Sequence, residues 1–162
     1  MPPSQVSPPV AGSKAPAFTA MDHTGEKVRL SQFKGQYVVL YFYPRDNTPG
    51  CTVEAREFRD SLEEFQSANA VVLGVSPDSA ESHCKFIERF ELNFTLLADE
   101  SHHLAEAYGV WGEKSMYGKS FEGVHRSTFL IGPDGVLIQS WPKVKAEGHA
   151  DQVLKFLEGL KG

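Results

Sequence analysis

Two side chains offer sulfur as a nucleophile, Cys51 and Cys84, and their contexts differ. Cys51 closes the stretch Tyr43-Pro44-Arg45-Asp46-Asn47-Thr48-Pro49-Gly50-Cys51, between a strongly apolar run and an amphipathic one. That order predicts a strand, a loop and a helix whose first turn holds the cysteine. Ligand sites in α/β sheets favour the carboxyl ends of strands. In a first helical turn, unpaired N–H groups and the positive end of the helix dipole stabilise a thiolate. A thiol with a pKa near 8.5 is only about 3% ionised at pH 7, whereas one lowered to about 6 is roughly 90% ionised. The gain in nucleophile is about thirtyfold, which is useful but not a complete catalyst.

A thiolate that attacks an O–O bond also needs fixed donors where charge gathers on the departing oxygen. Thr48, three residues before Cys51, is placed to offer a hydroxyl. Pro44 and Pro49 fix φ around the loop and cover the sulfur with apolar surface, which restricts access to small molecules. A buried core thiol at a helix start accounts for the same local pattern, so both readings stand on these residues alone.

The elements that must position this loop are legible as periodicities. Ala17–Ala20 and Lys27–Leu30 alternate around Asp22-His23-Thr24-Gly25, an N-terminal β-hairpin. Tyr37–Tyr43 and Ala70–Ser76 are continuous apolar runs rich in β-branched and aromatic residues, as in strands covered on both faces. Between them Val53, Phe58, Leu62 and Phe65 fall near helical spacing and predict one amphipathic helix of about four turns. In its first turn, Glu54 is placed to hydrogen-bond the loop, but reads rather as a solvated acid favoured by the helix dipole. A second helix is expected from about Ser79 to Phe90, opened by Asp78 with Glu81 three residues on. Phe94–Leu97 reads as a short strand, Ser101–Tyr108 as a short helix, and Ala150–Leu160 as a terminal helix. Thr128–Ile131 and Val136–Trp141 flank Gly132-Pro133-Asp134-Gly135, a hairpin signal. Lys114 to Lys119 is polar and bounded by glycines, and is expected to be a surface loop, with Trp111, Met116 and Tyr117 rimming an access path or simply packing. Crossovers followed by a late hairpin imply an α/β sandwich with a mixed central sheet flanked by helices.

Composition narrows the function. The 162 residues are 41% hydrophobic and 23% charged, as in one globular domain with its own core. Residues 1–12 carry four prolines and few large side chains and are expected to form a mobile tail, with residues 13–162 as a single domain. The net charge of −5, with no basic block, argues against nucleic acid and anionic membranes. No apolar run reaches the roughly 18 residues of a membrane span, and the first residues lack a secretory signal pattern. Two cysteines are too few for a disulfide scaffold, which places the chain in the cytoplasm. His102-His103 and His83-Cys84 are neighbours that point apart, and no metal-ligand spacing is present, so no metal is expected. Nothing calls for haem, flavin or another cofactor.

The run Pro44-x-x-x-Thr48-x-x-Cys51 resembles the active-site signature of the peroxiredoxins, and YFYPRDNTPGCTVEAREFRD resembles their Q-type, or bacterioferritin comigratory protein, branch. Similarity continues through GVWGEKSMYG at 109–118 and HRSTFLI at 125–131, and spans about Gly12 to Leu160. The resemblance implies a thioredoxin-like fold and a thiol peroxidase in which Cys51 attacks hydrogen peroxide or an organic hydroperoxide and becomes a sulfenic acid. Thr48 is then the threonine that binds the substrate oxygens, and Pro44 the proline that shields the sulfur. Arg126 becomes the arginine that holds the thiolate; its residue type and position alone also fit a surface arginine at a strand edge.

Q-type members often carry a resolving cysteine five residues after the first, but that position here is Arg56. Cys84, 33 residues on, is the remaining thiol, on the helix where some members place theirs. The resemblance implies an intramolecular disulfide reduced by thioredoxin or a glutaredoxin-like partner, in a monomer. A disulfide needs Cα atoms within about 7 Å and the ends of two helices are often farther apart, so the first turn at Cys51 is expected to unwind and the Cys84 helix to fray. The alternatives are a one-cysteine peroxidase served by an external thiol, or a redox-sensing module. A thiol–disulfide oxidoreductase would need a second cysteine with two residues between it and the first, and Cys51-Thr52-Val53-Glu54 lacks it.

Overall fold

The computed structural model describes residues 7–161. Strands β1 (Thr19–Asp22), β2 (Lys27–Arg29), β3 (Tyr37–Phe42), β4 (Ala70–Ser76), β5 (Thr95–Ala98), β8 (Ser127–Ile131) and β9 (Leu137–Trp141) form one sheet in the order β2-β1-β5-β4-β3-β8-β9. β3, β4 and β5 run parallel, and the pairs at either side are antiparallel, which is the expected mixed sheet. The chain alternates across β3: Val38, Leu40 and Phe42 enter one buried layer, and Val39 and Tyr41 the other. Helices α1 (Pro49–Asp60), α2 (Leu62–Ser67), α3 (Ala80–Phe90) and α5 (His149–Lys161) cover the second face, while α4 (His103–Ala107) covers the first.

Several expectations are corrected. The four-turn helix is two helices, broken at Ser61, whose ψ of 4° leaves the helical range. Leu62 and Phe65 are nevertheless buried against Phe58 as the periodicity requires. Val53 points outward and Glu54 takes the buried place. Helix α3 is capped by Ser79, whose side chain accepts from Ser82 N, and not by Asp78. The segment expected as a surface loop is a hairpin, β6 (Trp111–Met116) and β7 (Lys119–Val124), paired from Trp111↔Val124 to Met116↔Lys119. Its turn carries positive φ at both Tyr117 and Gly118, as a type I′ turn does. Of the expected tail, residues 1–6 lie outside the described residues. Beyond them the chain is tied down: Ser7 N donates to Gly109 O at 2.8 Å and Gly12 N to Leu137 O at 2.8 Å. Among the described residues no helix is long and apolar enough to cross a membrane.

Candidate active site

Strand β3 ends at Phe42, and the loop that follows delivers the chain to the start of α1. Thr48 is the residue before the helix, in extended conformation, and Pro49 fills the first helical position, where a missing N–H costs nothing. Cys51 therefore sits in the first turn, 2% exposed. Pro44 is half-buried at the strand end, and Thr48 is half-buried beside the helix start. The Thr48 hydroxyl donates to Arg45 O at 3.0 Å, so its donor holds the loop while its lone pairs stay open.

Arg126 reaches the same point from the other side. It lies just before β8, whose register with β3 pairs Ser127 with Phe42, so the arginine stands beside the loop that β3 feeds. Its Nη2 donates to Cys51 Sγ at 3.2 Å and its Nη1 to Glu54 Oε1 at 2.6 Å. A guanidinium only donates, so the sulfur is the acceptor, and its two arms fix it between the cysteine and a carboxylate one helical turn on. Gly50 makes the approach possible, because a Cβ there would lie 3.3 Å from Arg126 Nη2.

Glu54 is fully buried and its second oxygen has no hydrogen-bond partner among the described residues, as is true of the neighbouring Tyr41 hydroxyl. Burial pushes the Glu54 carboxyl up to about 7, with Arg126 pulling against it. Burial also pushes the Tyr41 phenol well up, and the charges of Glu54 and Cys51 add to that. Lys114 arrives from the β6–β7 hairpin and donates from Nζ to Val124 O at 2.9 Å. Burial and Arg126 pull its ammonium down, while Cys51 acts in the opposite sense. Neither Glu54 as a buried partner nor Lys114 as a nearby cation was legible in the sequence. The one available signal for Glu54 was its i+3 spacing from Cys51, which puts both on one helix face.

Cys84 stands elsewhere. It is exposed on α3, and its thiol donates to the His23 carbonyl in the β1–β2 turn at 3.0 Å. Both cysteines are free. Cys51 follows β3, and β1 lies three places away in the sheet, which at about 4.8 Å per strand is roughly 14 Å. A disulfide needs Cα atoms within about 7 Å. The structure thus joins Arg126 to Cys51 by a hydrogen bond, holds Thr48 just before the same helix start and Pro44 just after β3, and leaves Cys84 on α3 against the β1–β2 turn.

The AhpC/TSA family model matches residues 11–140. The chain belongs to that family. Its relatives are peroxiredoxins: it is 52% identical to peroxiredoxin Bcp of Bacillus subtilis over 92% of this chain and 95% of that one. It is 46% identical to peroxiredoxin Bcp of Escherichia coli over 94% and 98%. Among solved structures, the Xylella fastidiosa PrxQ superposes with a TM-score of 0.91 at 39% identity, covering 96% of this chain and 99% of that one. The bacterioferritin comigratory protein of Xanthomonas campestris, described for its alkyl peroxide reduction activity, does so at 0.88 and 41% identity, over 94% and 100%. The fold is thioredoxin-like, as those structures are. This peroxiredoxin is a thiol peroxidase, acting on peroxides with a thiol as reductant.

Proposed function

We propose that Cys51 is the sulfur that this thiol peroxidase oxidises, with Arg126, Thr48 and Pro44 as its partners. The observation that carries this is the Arg126 fork, one arm on Cys51 Sγ at 3.2 Å and the other on buried Glu54. A hydrogen bond from a fixed cation is stronger to a thiolate than to a thiol. The thiolate attacks the nearer peroxide oxygen, the O–O bond breaks, and Cys51 becomes a sulfenic acid while the other oxygen leaves as hydroxide or alkoxide and takes up a proton. Arg126, unable to lose its own charge, stabilises the leaving oxygen as negative charge develops. Thr48 accepts the peroxide O–H through its free lone pairs, and Pro44 limits water at the sulfur. Both hydrogen peroxide and organic hydroperoxides fit this scheme. The activity described for the X. campestris relative supports the organic class.

Cys84 then attacks the sulfenic sulfur to form an intramolecular disulfide, which thioredoxin or a glutaredoxin-like protein reduces. Its exposure supports a role in contact with a protein reductant. We read residues 13–162 as a single cytoplasmic domain that works as a monomer, and the seven-stranded sheet, with strands from β1 to β9, supports the single domain.

Peroxidase kinetics of Cys51→Ser and Cys84→Ser beside the wild type test the assignment. Cys51→Ser loses all turnover. Cys84→Ser keeps its first oxidation and stops recycling through thioredoxin, its reductase and NADPH. Full turnover in the first variant defeats the assignment of Cys51, and unimpaired thioredoxin-dependent turnover in the second supports a single cysteine served directly by an external thiol.

A further inference from the structure

Behind the Cys51 loop lies a buried polar cluster that the reaction as described leaves unused. At its centre is Asp46, 7% exposed and five residues before Cys51. Its Oδ1 accepts from the Tyr43 hydroxyl at 2.6 Å, which binds the carboxylate to its own loop. Its Oδ2 accepts from Ser82 Oγ at 2.8 Å and lies 2.7 Å from His83 Nδ1, both on α3. His83 is itself fully buried, with Nε2 at 2.9 Å from Leu97 O in β5. A carbonyl only accepts, so Nε2 donates, and a proton is shared between His83 Nδ1 and the Asp46 carboxylate. Asp78, just before α3, completes the joint by accepting from Asp46 N at 2.8 Å. Cys84 is the next residue after His83.

We propose that Asp46 is a latch between the two cysteine-bearing segments, so that the loop before Cys51 and the first turns of α3 open together and the Asp46–His83 contact sets how fast Cys84 reaches oxidised Cys51. The proposal rests on reading Cys84 as the resolving thiol. The β1–β2 turn that Cys84 touches belongs to a strand roughly 14 Å across the sheet from β3, which feeds the Cys51 loop, so the disulfide needs movement of α3, of the loop, or of both. Asp46 contributes to both: it is in the loop by sequence and on α3 by contact. If unwinding at Cys51 displaces Asp46, His83 and Ser82 lose their buried acceptor. A buried donor without a partner is costly, so the α3 start no longer holds. Opening at either end therefore promotes opening at the other. The chemical step is self-contained. The Cys84 sulfur bonds to the Cys51 sulfur, the S–OH bond breaks, and hydroxide leaves with the Cys84 proton as water, so that no further oxidant enters.

The test uses His83→Gln and Ser82→Ala in the full chain. Each protein receives one equivalent of hydrogen peroxide, is quenched at intervals with a thiol-blocking reagent, and is analysed by mass spectrometry for Cys51 sulfenic acid and the Cys51–Cys84 disulfide. Hydrogen exchange of residues 44–50 and 79–84 is followed in parallel. Sulfenic acid forms at the wild-type rate in both variants. The disulfide forms roughly tenfold faster in His83→Gln, where a charge-assisted contact is lost, and a few-fold faster in Ser82→Ala. Protection from exchange falls in both segments at once. Unchanged or slower disulfide formation overturns the latch, as does loss of protection confined to α3. Ser82→Ala removes one half-buried hydroxyl, so its result stands even where His83→Gln fails to fold. A wild type that holds the sulfenic acid and never forms the disulfide defeats the resolving role instead, and exchange in the two segments still decides whether they open as one.

Discussion

Replacing Glu54 by glutamine separates what stabilises this fold from what serves its chemistry. In the folded state the Glu54 carboxyl is raised by burial from 4.5 to about 7. A carboxyl raised on folding binds more protons in the native state than in the unfolded one. Its contribution to stability is therefore fully present below about 4.5, and is lost as pH rises through about 7. Two and a half units amount to a loss on the order of 3 kcal/mol. Glutamine keeps an oxygen for Arg126 Nη1 but has no charge to desolvate. Glu54→Gln should match the wild type within about 1 kcal/mol at pH 4.5 and exceed it by about 2–3 kcal/mol at pH 8. With a urea slope of about 2 kcal/mol/M, the midpoint at pH 8 shifts up by more than about 1 M. Activity moves the other way. Arg126 loses its charged anchor, a weakening of about 1–2 kcal/mol, so the first oxidation of Cys51 slows about tenfold. Urea titrations of both proteins at several pH values, with stopped-flow oxidation at pH 8, test both halves. Other shifted groups, such as Asp22 and Asp99, cancel in the difference between the two proteins. A variant that is less stable than the wild type at pH 8, or a stability difference that does not vary with pH, refutes the reasoning.

Two further substitutions examine neighbouring contacts. Gly50→Ala puts a methyl 3.3 Å from Arg126 Nη2, so the guanidinium must shift by a few tenths of an ångström; the first oxidation should slow several-fold while the thermal midpoint holds or rises, alanine being the better helix former. An unchanged oxidation rate would show that the arginine does not need that close approach. Tyr41→Phe deletes a buried hydroxyl without a partner and should raise stability by about 1 kcal/mol in urea unfolding, whereas a loss of similar size would mean that the hydroxyl is satisfied in solution.

The sheet was legible where burial on both faces leaves an unambiguous mark. The runs at Tyr37–Tyr43 and Ala70–Ser76 became β3 and β4 within a residue at their ends. The Gly132–Gly135 turn was equally plain, although a bulge shifts the pairing from Leu130↔Gln139 to Ile131↔Leu137. The β6–β7 hairpin was hidden because its strands are mostly exposed and lack an apolar alternation, and tyrosine occupies the first turn position, where asparagine or aspartate gives the usual signal. Glu54 was misread for a different reason. Dipole logic treats a first-turn acid as solvated, and nothing local reveals that an arginine 72 residues away will bury it. The Asp46–His83 contact, at a separation of 37 residues, was invisible on the same grounds. Local periodicity reports which face of an element is apolar, whereas polar partners meet only through topology.

The 2% exposure of Cys51 has a consequence for traffic through the enzyme. A peroxide can meet the sulfur with its slender O–O end, whereas a maleimide or the flank of another protein meets the loop first. Cys84 faces solvent on α3, so a bulky thiol reagent that is kept from Cys51 reaches it directly.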